Sequence, residues 1–206
     1  MAPHADYPYA HAPRLPPDSD HVDPRTLLGS RGPVELEIGP GRGTFILERL
    51  EFGGPDVHIL GVEIRRKWAT IVDDKIRAGG WGTRGRVFAE DARLALERFP
   101  EQCLSRVYVH FPDPWWKKRH HKRLLAGRAL ADQVGRLLCT GGDFFVQTDV
   151  EERAELYEQA FFGHPLFTPW GETPVVEDPQ FGARSPREKR ALQDGLPIFR
   201  RRWRRL

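Results

Sequence analysis

At 206 residues, with 39% hydrophobic and 30% charged side chains, the chain has room for one α/β domain with a real core, and its balance excludes a disordered polymer or a membrane-embedded bundle. Its two cysteines, Cys103 and Cys139, lie far apart and outside any CxxC pair; this argues against a disulfide framework and a zinc site, and both are expected to be reduced core residues. The net charge of +3 hides an asymmetry, because residues 117–128 carry six Lys or Arg and no acid while residues 187–206 carry eight against Glu188 and Asp194, so a polyanion is the expected partner.

Residues 1–30 contain six prolines and little apolar periodicity, which marks them as a tail, mobile or lying over a domain that spans 31–206. No apolar run approaches about 18 residues, and the opening MAPHADYPYAHAP has neither a basic n-region nor an apolar h-region. No membrane association is expected, and the expected compartment is the cytoplasm. From Val34 onward, runs rich in β-branched and aromatic residues (VELEIG at 34, HILGVEI at 58, RVFAED at 86, SRVYVHF at 105, GGDFFVQTD at 141) alternate with helical spacing. That spacing is clearest at 150–161, where Val150, Ala154, Tyr157 and Phe161 fall on one face. The alternation predicts an α/β fold, a largely parallel sheet between two helical layers, with ligands at the carboxyl ends of the strands.

The first strand runs into Glu37, Ile38, Gly39, Pro40, Gly41, Arg42, Gly43 and Thr44, an ExGxGxG pattern where a strand turns into a helix. Glycines there allow a tight turn and close backbone approach to a ligand. The second strand ends at Glu63, twenty residues past Gly43, where a carboxylate can accept from both hydroxyls of a ribose. These features fit any adenosine cofactor. Glu37 is a poor neighbour for a pyrophosphate but suits the cationic amino-acid end of S-adenosylmethionine, directly or through water. Asp91 is placed to accept from the exocyclic amine of an adenine, and equally to cap a helix beginning near Ala92.

The fourth strand leads into His110, Phe111, Pro112, Asp113, Pro114, Trp115, Trp116, Lys117, Lys118 and Arg119. Two prolines fix the backbone around Asp113 and hold its carboxylate at the sheet edge beside the expected cofactor. Aromatic residues for stacking, followed by Lys and Arg for phosphates, suit a site that admits an exposed nucleobase. His120 and His121 are adjacent, do not share a helix face and have no third ligand at suitable spacing, so no metal is expected.

The run FPDPWWKKRHHKRL closely resembles the PDPW-x-K-x-R-H-x-K-R stretch of the bacterial tRNA (guanine-N7)-methyltransferases. The resemblance continues in LEIGPGRG, GVEI, the Asp91 position, QTDVEERAE and SPREKRALQDGLPIFRRR, covering the chain from about Val34. It implies a single-domain, Rossmann-like class I methyltransferase fold with a seven-stranded, mostly parallel sheet and helices on both faces. It further implies S-adenosylmethionine as cofactor, tRNA as substrate, and methylation of a guanine in the variable loop, position 46. Cofactor-contacting acids fall on Glu37, Glu63, Asp91 and Asp113, beside Gly39, Gly41 and Gly43, with Asp113 also catalytic. Substrate contacts fall on Lys117, Asp149, Ser185, Arg187 and Glu188.

Two departures stand out: Trp116 occupies a place where the family commonly has His, and Ser185, Pro186, Arg187, Glu188 replace the usual T-x-x-E. A last strand is expected after LPIF, exposing some of Arg200, Arg201, Arg202, Arg204 and Arg205 to an RNA backbone. A methyltransferase with another target, a non-catalytic RNA-binding module and a nicotinamide-dependent oxidoreductase stay open as alternatives. So does the choice between monomer and homodimer.

Overall fold

The alternating runs form strands β1 (Val34–Ile38), β2 (Ile59–Val62), β3 (Gly85–Phe88), β4 (Leu104–His110), β5 (Leu138–Thr148), β6 (Phe167–Pro169) and β7 (Phe199–Arg205). Between them lie helices α2 (Thr44–Phe52), α3 (Arg66–Ala78), α4 (Ala92–Arg98), α5 (Arg128–Leu137), α6 (Glu151–Phe161) and α7 (Pro186–Asp194), after a short α1 (Pro24–Leu28). This is a computed structural model, and it describes residues 9–17, 19–112 and 127–206. The seven strands form one sheet in the order β3-β2-β1-β4-β5-β7-β6, with only β7 reversed, antiparallel to β5 and β6. The sequence predicted six of the strands; β6, three residues long, left no signal.

Both faces of the sheet are covered, as a parallel sheet requires. On β1, Leu36 and Ile38 point into a cluster with Val107, Phe144 and Trp203, under Leu96 of α4, Val134 of α5 and Phe161 of α6. The opposite face packs Tyr108 and Phe145 against Phe45 of α2, Val72 of α3 and Phe181. Described residues before β1 pack on the sheet's neighbours: Leu15, Val22 and Leu28 join the first cluster, and the Ala89 amide donates to the Pro13 carbonyl at 2.7 Å. Asp23 caps α1, with Pro24 at its first turn. Among the described residues no helix is long and apolar enough to cross a membrane.

One expectation, for Cys139, needs correction, and the one for the last strand holds for Arg204. Cys103 is buried, and burial pushes its thiol up to about 12, but Cys139 is only half-buried on β5. The β7 arginines are mostly turned inward rather than offered to a partner. Arg200 pairs with Glu188, Arg201 with Glu158 of α6, and Arg202 with Asp143, while Arg205 donates to the Gly135 carbonyl. Only Arg204 is exposed, stacked with its guanidinium carbon 4.4 Å from the Trp170 ring centre. The reason is pairing geometry. β7 sits inside the sheet with a strand on each side, and three of its cations stand against acids, of which Glu188 and Asp143 are buried.

One of these buried networks crosses four strands, β1, β4, β5 and β7. Arg49 of α2 bonds Glu35 at 2.7 Å, Tyr108 donates to Glu35 at 2.9 Å, and Asp143 accepts from Arg106 and from Arg202, each at 2.8 Å. Strand register puts Glu35, Arg106 and Asp143 in one row. The Glu35 carboxylate holds the Arg49 pKa above its ordinary value. Burial pushes the Tyr108 hydroxyl up, so it stays a donor. Burial opposes the charge on Arg106, yet the surrounding Tyr108, Asp143 and Glu35 keep its pKa raised.

Candidate active site

Strand order reverses between β1 and β4, whose neighbours continue in opposite directions. The crevice outside the carboxyl ends of these two strands is where a sheet of this kind receives a ligand. The glycine turn from Gly39 to Gly43 leaves β1 there. Gly43 has φ +79° and closes the turn by donating its amide to the Pro40 carbonyl at 2.9 Å. A Cβ at this position would stand 2.4 Å from a methyl of Val72, so α2 and α3 approach too closely for any side chain. Gly43→Ala is expected to lower stability by about 2–4 kcal/mol, adding overpacking to left-handed strain. Urea unfolding checks this, and an unchanged midpoint would contradict it.

Glu63, at the end of β2, faces the same turn. Its Oε2 accepts from the Gly41 amide at 2.9 Å and its Oε1 from the Arg65 amide at 3.0 Å, with the Arg65 guanidinium alongside. A carboxylate has about four lone-pair sites, and with Arg65 Nε at 3.0 Å and Nη2 at 3.5 Å all are engaged, so a further donor would displace the half-exposed Arg65 side chain. Ile64, next in the chain, is 66% exposed, an apolar surface beside an acid that suits the face of a purine. At the end of β3, Asp91 caps α4 through the Arg93 amide and pairs with the Arg93 side chain.

Glu37 is the most constrained of the acids. Its side chain is 2% exposed, and its Oε1 accepts from Nδ1 of His110, the last residue of β4, at 2.8 Å. The other oxygen, Oε2, is buried with no hydrogen-bond partner among the described residues. A buried anion in that state is costly unless a donor completes it. The cationic amino group of S-adenosylmethionine supplies such a donor, so the residues present fit the group expected from the sequence.

At the carboxyl end of β5, Asp149 and Arg187 are brought together, with Arg187 Nε 3.0 Å from Asp149 and its guanidinium 5.6 Å from the Phe111 ring centre. Ser185 caps α7 through the Glu188 amide at 3.2 Å. The Glu188 side chain turns inward, 3% exposed, accepting from Gln147 and Arg200, each at 3.0 Å. Among the described residues Ser185 and Glu188 thus hold the start of α7, while Asp149 and Arg187 stand nearer its surface. Phe111 leaves β4 with φ +46°, a backbone state rare for an aromatic residue, and its amide is fixed to the Gln147 carbonyl at 2.8 Å. Strain of this kind costs about 1–3 kcal/mol and gathers at functional sites.

Asp113 and Lys117, with the rest of the 113–126 basic run, lie outside the described residues. Among those described, no cluster of three or more His, Cys, Asp or Glu could hold a metal ion. Sequence reasoning missed His110, Gln147 and Ile64 as site residues. In the structure Tyr108 pairs in register with Glu37, and a period-two count along β4 then puts His110 on the Glu37 face, a pairing that no local pattern announces.

A family model described as a putative methyltransferase matches residues 31–201. The tRNA (guanine-N(7)-)-methyltransferase of Synechococcus sp. (strain JA-3-3Ab) is 39% identical over 194 residues, covering 91% of this chain and 77% of that protein. The enzyme of the same name from Myxococcus xanthus (strain DK1622) is 36% identical over 197 residues, covering 91% and 88%. Among solved structures, TrmN from Thermus thermophilus superposes with a TM-score of 0.58 over 89% of this chain and 47% of that one, at 21% identity. That likeness concerns the fold alone.

Proposed function

Because the chain belongs to the tRNA (guanine-N(7)-)-methyltransferase family, we propose that it transfers a methyl group from S-adenosylmethionine to N7 of a guanine in tRNA. The guanine proposed is the one at position 46 of the variable loop. The observation that carries this is the buried Glu37 carboxylate, with one oxygen unpartnered among the described residues, at the switch-point crevice beside the glycine turn. Glu37, Glu63, Asp91 and the turn from Gly39 to Gly43 would hold the cofactor, with Asp113 beside them.

When bound, the cofactor supplies an electrophilic methyl group on a sulfonium. Guanine N7 already has an in-plane lone pair, so no residue needs to remove a proton, and the chain's task is to bind and orient. In this assignment Asp113 accepts from guanine N1–H or N2–H₂, which orients N7 and favours the positive charge that grows on the ring. Asp149, steadied by Arg187, adds a second acceptor. Lys117 and Arg187 neutralise phosphate, and Ser185 and Glu188 fix the α7 terminus that carries Arg187.

The test is to incubate the protein with methyl-labelled S-adenosylmethionine and tRNA lacking the modification, then digest to nucleosides. Label in 7-methylguanosine is expected; label in another nucleoside would replace the substrate assignment. Mapping the labelled fragment checks position 46. Since Arg204 alone of the β7 arginines is exposed, salt dependence of tRNA binding should come chiefly from residues 117–128. Arg204→Ala is expected to leave the logarithmic salt slope unchanged to within about 0.3, whereas a lost phosphate contact would lower it by roughly 0.7–0.9. Filter binding across salt concentrations around physiological ionic strength measures it, and a fall of about 0.7 or more would restore β7 as a phosphate-binding strand.

A further inference from the structure

We infer that His110 is a positioning residue for the cofactor: it holds one oxygen of Glu37 so that the other meets the cationic amino-acid end of S-adenosylmethionine. The inference rests on the cofactor proposed above and on three observations about the pair. An ionised carboxylate only accepts, so the 2.8 Å contact requires the proton on Nδ1 of His110. The imidazole cannot turn away, because the ring centres of Phe45, Tyr108 and Phe145 stand 4.1, 5.7 and 5.9 Å from it. Both side chains are at least 95% buried, yet Glu37 Oε2 has no partner among the described residues.

The third point separates this from ordinary core packing. A histidine retained only to neutralise a buried acid would be expected in a cluster where both oxygens are satisfied, as Asp143 is by two arginines. Here the described residues complete one oxygen of the carboxylate and leave the other buried without a donor. Fixing Oε1 removes the freedom of Glu37 to swing, so its orientation is settled before the ligand arrives. Without His110, both oxygens are orphaned and the side chain gains other rotamers.

Two ligands separate positioning from structure. S-adenosylmethionine carries the amino-acid end, whereas 5′-methylthioadenosine has the same adenosine and sulfur but lacks it. In equilibrium binding by calorimetry, His110→Phe is expected to weaken S-adenosylmethionine roughly 10- to 100-fold, the range for a lost hydrogen bond to a charged group, and to leave methylthioadenosine within about twofold. His110→Asn, whose carboxamide nitrogen stands as many bonds from Cα as Nδ1, is expected to recover most of the loss.

Should His110→Phe fail to fold, NMR on the unmodified protein still decides. The Nδ1–H resonance of His110 should shift on adding S-adenosylmethionine and stay in place with methylthioadenosine. Equal weakening of both ligands, no weakening of either, or a resonance indifferent to the amino-acid end would overturn the proposal. An unmodified protein that binds neither ligand would overturn the cofactor assignment, and this proposal with it.

Discussion

Asp143→Ala is expected to lower the free energy of unfolding by about 3–5 kcal/mol, the cost of breaking a buried ion pair from one side. The Asp143 side chain is 3% exposed and is held by Arg106 and Arg202, which are 23% and 8% exposed. Removing the acid relieves its own desolvation but leaves two guanidiniums that cannot shed their charge. The second effect wins because Arg202 is buried and loses its carboxylate partner, while Arg106 keeps only the longer contact to Glu35 at 3.5 Å. For a chain of this size the melting temperature should fall by roughly 10 °C. Calorimetric melting measures this, with Asp143→Asn expected to fall between the two. A shift of under about 2 °C would show that the arginines find other partners and that the network is dispensable.

The second large effect concerns chemistry rather than stability. Asp113→Ala is expected to slow methyl transfer about 10²- to 10³-fold, the size of effect seen when one preorganised polar group aimed at developing charge is lost. The expectation combines the family assignment with what lies immediately before this residue. Phe111 turns out of β4 in a left-handed conformation, anchored to Gln147, and Pro112 follows. Asp113 itself lies outside the described residues, three positions after Glu37's partner His110. Single-turnover rates at saturating cofactor and tRNA are the measurement, with a melting curve to show that folding is retained. A rate within about threefold of the unmodified protein would remove Asp113 from the catalytic role.

The parallel half of the fold was legible because each strand there is a short apolar run bounded by glycine, proline or an acid. Glu37, Glu63 and Asp91 could be placed because the carboxyl end of a strand has a simple signature. What escaped was set by side-chain pairing across strands. Arg200 to Arg205 look in sequence like a solvated basic tail, and only the register that sets Arg202 beside Asp143 and Arg200 opposite Gln147 shows them to be internal. Glu188 looked like a substrate contact but bonds inward to Gln147 and Arg200. His110 was overshadowed by the residues after it, since nothing local marks a histidine as facing a glutamate 73 positions away.

The place of β7 in the sheet bears on how the protein is made. β7 follows every other element in chain order, yet it sits between β5 and β6 and supplies the only ladder that β6 has. While the chain is being synthesised, β5 waits with one open edge that carries Phe144, Phe145 and Val146, the kind of surface that recruits strands from other molecules. The acids Glu158 and Glu188 wait with it, each lacking its β7 arginine, and Asp143 has Arg106 but not Arg202. A nascent chain stopped before residue 199 would therefore be sticky and locally acidic, and arrival of the final arginines would cure both conditions at once.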